Sequence, residues 1–582
     1  MLATQRLVKK DTSTGLLIGS LGLYVLAFYT YVSASIQNLP TWDDLHFLEW
    51  LVRFNAEPLF SKKLSLLFEP HAEHIILTGR LMTIGFAAIT HPFSIYLFTL
   101  VHTLWLLIIP VVLWRFYQKE QVAAYHIAVP VVLLFSLHYY QAVLMMGCFN
   151  HTMMFGLSIA VIYLLAYRSD TRSLLLAMGL SLILLFANSG AATLLLIGIG
   201  ALLLKGDWKY LRKWSAFTVV TLIVFFAIYQ KPSWTAQFSV NKLVAESSLY
   251  FKGFFGLIGG VFSFLLNPLA HSFVGSESFG FPFQYSVFAL IAGLLIVAIT
   301  GSYAAYMVFS FFRKGPLSAG NVFLTALIGL LFCLTLSATL FRLNGPPTLM
   351  GLFVSRYKLQ SILLLICSYT ILVKCWQSKP AEKLMWAVGL SGALLLSVFS
   401  FVEYFVPSQN FNKAHYAATL TWMAGSARSQ YFPEGGVSEI ARRYWHKIIE
   451  ADIYQVPDVA KQIQRKFLQN KDKATEGIDG WQIQQLPDQS IILSNPDVVT
   501  TSYWGANGNY IVTWNLRTAS WDWLVASPER NSVSQLLKKG NWLKPGVKLW
   551  LNAGWLDEIN SNECFLVTVH NDSVNVSRIQ IV

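Results

Sequence analysis

Long apolar runs, cut by short polar links, fill the sequence from Leu16 to about residue 406. They sit at 16–36, 94–116, 124–146, 152–167, 173–188, 190–204, 215–229, 285–311, 320–341, 359–375 and 384–406. A helix needs about 20 apolar residues to cross a bilayer core, where every backbone polar group must be paired within the protein. A chain with this pattern is expected to be a polytopic α-helical membrane protein of about 11 spans. Composition agrees. Only 13% of the 582 residues are charged and 55% are hydrophobic, which excludes a wholly soluble domain and a disordered chain.

The links set an orientation. Residues 1–14 carry Arg6, Lys9 and Lys10 ahead of the first run, which places the N-terminus in the cytoplasm. A cleaved signal peptide is the competing reading, but the apolar core is long for one and no A-x-A site follows. Basic pairs or clusters mark the links at Arg115/Lys119, Arg168/Arg172, Lys205–Lys213, Arg313/Lys314 and Lys374–Lys383. The positive-inside rule puts these in the cytoplasm. Links 147–151, 230–284 and 342–358, and everything after 407, then lie outside. The net charge of +13 reads first as topology, and no nucleic-acid partner is expected. Ile75–Thr90 carries Arg80 and is read as a re-entrant or interfacial helix on the outer face. A true crossing there would break the charge rule.

Residues 408–582 change character. Short alternating runs such as Tyr510–Trp514, Val547–Leu551 and Cys564–His570 are strand signals. The stretch 436–470 reads as helix, with Val459, Ile463 and Phe467 on one face. Together they predict an extracytoplasmic α+β, β-sandwich-like domain. Ten Trp lie there, at 422, 445, 481, 504, 514, 521, 523, 542, 550 and 555, suited to a β core or to stacking on sugars. The Cys at 148, 333, 367, 375 and 564 form no CxxC pattern and no disulfide framework.

The candidate chemistry gathers in the outer links. The first outer loop, 37–74, opens with Asp43 and Asp44. Adjacent carboxylates can raise each other's pKa, accept a proton or share a divalent cation such as Mg or Mn. One of them could instead cap a helix over Leu45–Phe54. Later in the loop come Glu69, His71, Glu73 and His74, then Arg80. His71 and His74 could share a helical face and bind a metal, though no third ligand lies at short spacing. An Arg at membrane depth marks function unless it snorkels. Asn150, His151, Asn188, Arg342, Arg356, Tyr357 and Lys358 also map outside. The three cations of link 342–358 suit a phosphate. Acids and cations on one face point to base catalysis beside a leaving phosphate.

Trp42-Asp-Asp-Leu-His46-Phe47 resembles the acidic first-loop motif of the GT-C superfamily of polyprenyl-phosphate-sugar-dependent membrane glycosyltransferases. Glu69–His74 with Arg80 is similar to an Asn-Glu-His-Arg segment of a bacterial surface-polysaccharide branch, in which Arg directly follows His; here Ile75 does. Asn150-His151, Ala187–Gly190, Ser355-Arg356-Tyr357 and Leu551–Trp555 also look like blocks of that branch. The resemblance implies a GT-C-like domain over 15–407 and a periplasmic domain over 408–582. It implies a bacterial inner-membrane enzyme that moves a sugar from a polyprenyl-phosphate donor to a lipid-linked or surface glycan such as O-antigen. Asp43 would be the base of an inverting displacement, Asp44 its assistant, and His46 and the other named residues would hold substrate. A polysaccharide polymerase or ligase is an alternative, but the early acids argue against it. A flippase is another, but no internal repeat is visible.

Overall fold

The computed structural model describes residues 2–71, 74–229, 240–263, 287–343, 355–376, 379–428, 436–485, 491–495, 498, 506–515, 520–530, 543–551, 563–571 and 573–581. Among these residues nine helices are long and apolar enough to cross a membrane: Gly15–Ser35, Ile95–Lys119, Ala124–Leu144, Met146–Tyr167, Trp208–Ile228, Val287–Lys314, Ala319–Arg342, Ser355–Cys375 and Pro380–Met423. Two shorter apolar helices, Thr171–Leu185 and Ser189–Lys205, fall on the expected runs at 173–188 and 190–204. The chain is a multi-pass helical membrane protein. Its outward faces stay apolar, with Leu23, Ile223, Leu295 and Leu395 exposed, which is stable against lipid and costly against water.

The Ala124–Leu144 segment is not one smooth helix. It runs as a 3-10 turn at Ala124–Ile127, a helix at Ala128–Leu134, a second 3-10 turn at Leu137–Tyr139 and a short helix at Tyr140–Leu144. Broken backbone at membrane depth survives only where protein satisfies it. Here Tyr24 Oη donates to the carbonyl of Phe135 at 3.0 Å, and Leu137 N donates to Ser400 Oγ at 3.1 Å. Past the break the chain carries His138 in the second 3-10 turn and Gly147 in the next, Met146–Cys148.

The loop after the first span folds as a helix at Trp42–Ala56, a helix at Phe60–Phe68 and a small hairpin pairing Pro70–His71 with His74–Ile75. His71 and His74 are therefore direct cross-strand partners, not neighbours on a helical face, because Pro70 starts an extended pair. The Leu77–Thr90 helix follows, with 14 residues. At 1.5 Å per residue it reaches about 21 Å, short of the ~30 Å bilayer core. Thr78 docks it onto the end of Thr171–Leu185, its N donating to the carbonyl of Phe186 at 2.9 Å and its Oγ1 to that of Ile183 at 2.8 Å.

The expected boundary at 407/408 falls inside a helix. Lys379–Met423 is a single helix of 45 residues, and its last turns carry a buried, largely polar stretch from Ser408 to His415. Two helices, Gly436–Glu450 and Asp458–Asn470, replace the one expected over 436–470. Pro457 precedes the second of them and separates the two. Ala460, Ile463 and Phe467 are its buried face, whereas Val459 is 48% exposed. The strands close into a barrel rather than stacking as a sandwich. Its order is Thr475–Gln485, Ile491–Asn495, Leu543–Leu551, Ser520–Arg530, Gly508–Asn515, Cys564–His570 and Ser573–Ile581, closed by a parallel pairing of the last with the first. Phe467 plugs it against Trp521, Trp523 and Phe565, with ring centroids 5.0–5.9 Å away. Those Trp serve the core. Thr421 Oγ1 accepts a hydrogen bond from Trp523 N at 2.8 Å, tying the barrel to the long helix. The Leu551–Trp555 motif lies, beyond Leu551, outside the described residues. All five Cys are free thiols.

Candidate functional site

Three helix N-termini meet beside the hairpin: Trp42–Ala56, Phe149–Tyr167 and Lys358–Cys375. Each brings a positive dipole end. Asp43 and Asp44 occupy the first turn of the first helix. Asn150 and His151 occupy the first turn of the second. Arg356 and Tyr357 lie in the 3-10 turn, Ser355–Tyr357, that leads into the third.

The two acids have different jobs. Thr41, not Asp43 or Asp44, is the N-cap, and Asp44 completes a capping box with it. Asp44 Oδ2 accepts from Thr41 N at 2.9 Å, and its Oδ1 accepts from Gly147 N at 2.8 Å. Asp44 is 1% exposed. Burial pushes its carboxyl up to about 7 against the pull of those two amides. Asp43 is half-buried and makes no hydrogen bond with another described residue. Its charge reaches Cys148 and Arg356. Gly147 closes the corner: a Cβ there would lie 2.9 Å from Asp43 Cβ and 3.4 Å from Asp44 Oδ1.

The cations sit opposite. Arg342 Nε donates to Tyr357 Oη at 3.0 Å, and the Arg356 guanidinium lies 5.6 Å from the centre of the Tyr357 ring. The His151 and Tyr357 rings meet edge-on at 5.5 Å. Arg356, His74 and Arg342 all act electrostatically on His151. His74 Nδ1 pairs with Ser189 Oγ at 2.5 Å. His46 and His71 meet edge-on at 5.2 Å. Burial pulls His46 below its ordinary range and His71 down to about 4, so His71 is a neutral imidazole at pH 7.

Of the residues singled out in the sequence, Asp43, Asp44, His46, His71, His74, Asn150, His151, Arg342, Arg356 and Tyr357 therefore gather in one place. Four others make their closest contacts elsewhere. Glu69 pairs with Arg53 at 2.9 Å. Arg80, 3% exposed, donates to the carbonyls of Leu67 and Glu69 and stands 5.3 Å from the Trp50 ring centre. It holds the loop closed rather than facing the acids. Asn188 caps its own turn by accepting from Gly190 N at 2.9 Å. Lys358 points to the far side of its turn, toward Tyr404. Glu73 lies outside the described residues. Gly147, Cys148 and Thr41 were missed in the sequence, yet Thr41-x-x-Asp44 has the Thr-x-x-acid spacing of a capping box.

Among the described residues no group of three or more His, Cys, Asp or Glu side chains is placed to hold a metal ion. Asp44 Oδ1 and Oδ2 each accept one backbone amide, which fixes that carboxylate in place.

Asp44→Ala is expected to destabilise the protein by about 1–3 kcal/mol, because two buried amide donors lose their acceptor. A folded-state pKa raised to about 7 adds stability that is full below about pH 4 and is lost as pH rises through 7. Wild-type thermal stability should therefore decline across that window more than the variant's does. Parallel profiles would remove Asp44 as the titrating group.

No family model matches the chain, and no curated protein matches it.

Proposed function

We propose that this protein is a membrane glycosyltransferase that moves a sugar from a polyprenyl-phosphate donor to a lipid-linked or surface glycan. The reaction would run on the outer face of the bacterial inner membrane, with the C-terminal barrel in the periplasm. The observation that best supports this is the placement of half-buried Asp43 within electrostatic reach of Arg356. A base and an anion holder then face the same space.

The chemistry follows from that placement. The acceptor hydroxyl attacks the anomeric carbon and gives its proton to Asp43. The bond from that carbon to the phosphate oxygen breaks, and the phosphate leaves with the electron pair. Arg356 and Arg342 counter the charge that develops, aided by the N-terminal dipoles of Phe149–Tyr167 and Lys358–Cys375. Asp44 and Gly147 position Asp43 without touching substrate. Attack opposite the leaving group inverts the anomeric centre.

The test is a transfer assay on purified protein with a panel of polyprenyl-phosphate sugars. Arg356→Ala should raise the donor KM by about 10-fold to 100-fold, the worth of a charged hydrogen bond. An unchanged donor KM would remove Arg356 from the phosphate site, and no transfer from any donor would sink the reading. A C-terminal reporter should register in the periplasm. A cytoplasmic signal would put the barrel on the wrong side for a surface glycan.

A further inference from the structure

Lys358, a cation of link 342–358, contacts a different set of side chains from Arg356. Successive residues of a 3-10 turn are about 120° apart, so Arg356 and Lys358 leave the turn in different directions. Their surroundings share no residue. Arg356 faces Tyr357, Cys148 and Asp43. Lys358 Nζ donates to Tyr404 Oη at 2.6 Å and to Ser263 Oγ at 3.2 Å, and lies 4.4 Å from the Tyr404 ring centre. The His138 ring, 5.6 Å from that of Tyr404, is within reach of its charge.

This second cluster is deeply enclosed. Lys358 is 6% exposed, Tyr404 3%, Ser263 1% and His138 1%. Lys358 lies in the first turn of the candidate span Ser355–Cys375 and Tyr404 within Pro380–Met423, so the ammonium is enclosed at the end of a span. Among the described residues it has no ion pair. It also stands at the first position of an 18-residue helix, the end where the dipole is positive and a cation is unfavourable. An ammonium enclosed in such a place is costly without an anion. An aromatic face offsets that only in part. Lys, Ser, Tyr and His side chains grouped at a helix N-terminus make a set of donors suited to phosphate oxygens.

We propose that Lys358 is a second anion site and holds the phosphate of a second lipid-anchored substrate, the carrier of the acceptor glycan. This rests on the transferase reading and deepens it. Arg356 takes the donor phosphate, Lys358 takes the acceptor's, and the two lipids lie on either side of one turn. A lipid phosphate suits the site better than a free ion. Its apolar tail adds hydrophobic affinity, while a hydrated phosphate would have to shed its water to enter an enclosed site with nothing to offset the cost.

The experiment counts bound farnesyl phosphate by native mass spectrometry of the full-length protein released from nanodiscs. Wild type should bind two equivalents, and Lys358→Gln and Arg356→Gln one each. The Lys358→Gln second site should weaken by about 10-fold to 100-fold. Lys358→Arg, which keeps the charge, should retain two. If Lys358→Gln fails to fold, Tyr404→Phe carries the same test, with the second equivalent weakened and the first unchanged. Two equivalents on either of these variants with wild-type affinity would overturn the proposal, as would a single equivalent on wild type. Inorganic phosphate competing as well as farnesyl phosphate would overturn the lipid assignment. No turnover is needed, so two bound equivalents with no sugar transfer would keep Lys358 and lose the transferase. Sugar transfer with a Lys358→Gln protein that still binds two would do the reverse.

Discussion

Asp43→Asn should lower sugar transfer by about 10²-fold to 10⁴-fold, the range a positioned general base contributes. The protein should still insert and unfold at the wild-type temperature. The substitution keeps the shape and removes the basicity, since an amide does not take up the acceptor's proton. It is mild structurally because Asp43 is half-buried and makes no hydrogen bond with another described residue. Asp44→Ala should show the opposite balance, with stability affected directly and activity through it. Comparing the two separates catalysis from capping at adjacent positions. The donor KM should stay near wild type in Asp43→Asn, because Arg356 and Arg342 remain. Full activity of Asp43→Asn would remove the base and the transferase assignment with it.

The membrane architecture was legible because its cause is local. A run of apolar residues long enough to cross a bilayer is visible without knowing what it packs against. Even the short runs at 173–188 and 190–204 correspond to helices. What the sequence hid was set by tertiary partners. The break at Phe135–Ser136 looks like any apolar stretch, and it is satisfied by Tyr24, which donates to the Phe135 carbonyl, and Ser400, which accepts from Leu137 N. Closure of the barrel depends on pairing its first and last strands, about 100 residues apart, and alternation alone reads equally well as a sandwich. Within the site, residue types were readable and roles were not. Arg80 looks like a phosphate ligand until Leu67, Glu69 and Trp50 are seen around it. Asp43 and Asp44 look equivalent until Thr41 and Gly147 claim one of them. Lys358 looks like a companion of Arg356 until the turn between them is drawn.

Gly147→Val should be strongly damaging to transfer although the residue carries no functional group. Gly147 is not among the glycines with positive φ, so the reason for glycine here is space. Its missing Cβ would come within 2.9 Å of Asp43 Cβ, closer than side-chain carbons approach. The loop has no easy retreat, because Gly147 N is tied to Asp44 Oδ1 at 2.8 Å and Cys148 behind it is buried. The acid-bearing turn must therefore move, or the Asp44 bond must stretch. Displacing a reacting group by about 1 Å costs on the order of 10²-fold in rate. That is the expected fall in kcat for Val, with a smaller one for Ala. Lost contact to Asp44 should add about 1–3 kcal/mol of destabilisation. The donor KM should change little, since the Arg342, Arg356 and Tyr357 group is held from the other side of the site. The graded series Gly, Ala, Val then reports the position of Asp43 through a residue with no chemistry of its own. Wild-type kcat in Gly147→Val would mean that the acid does not need to be where this corner holds it.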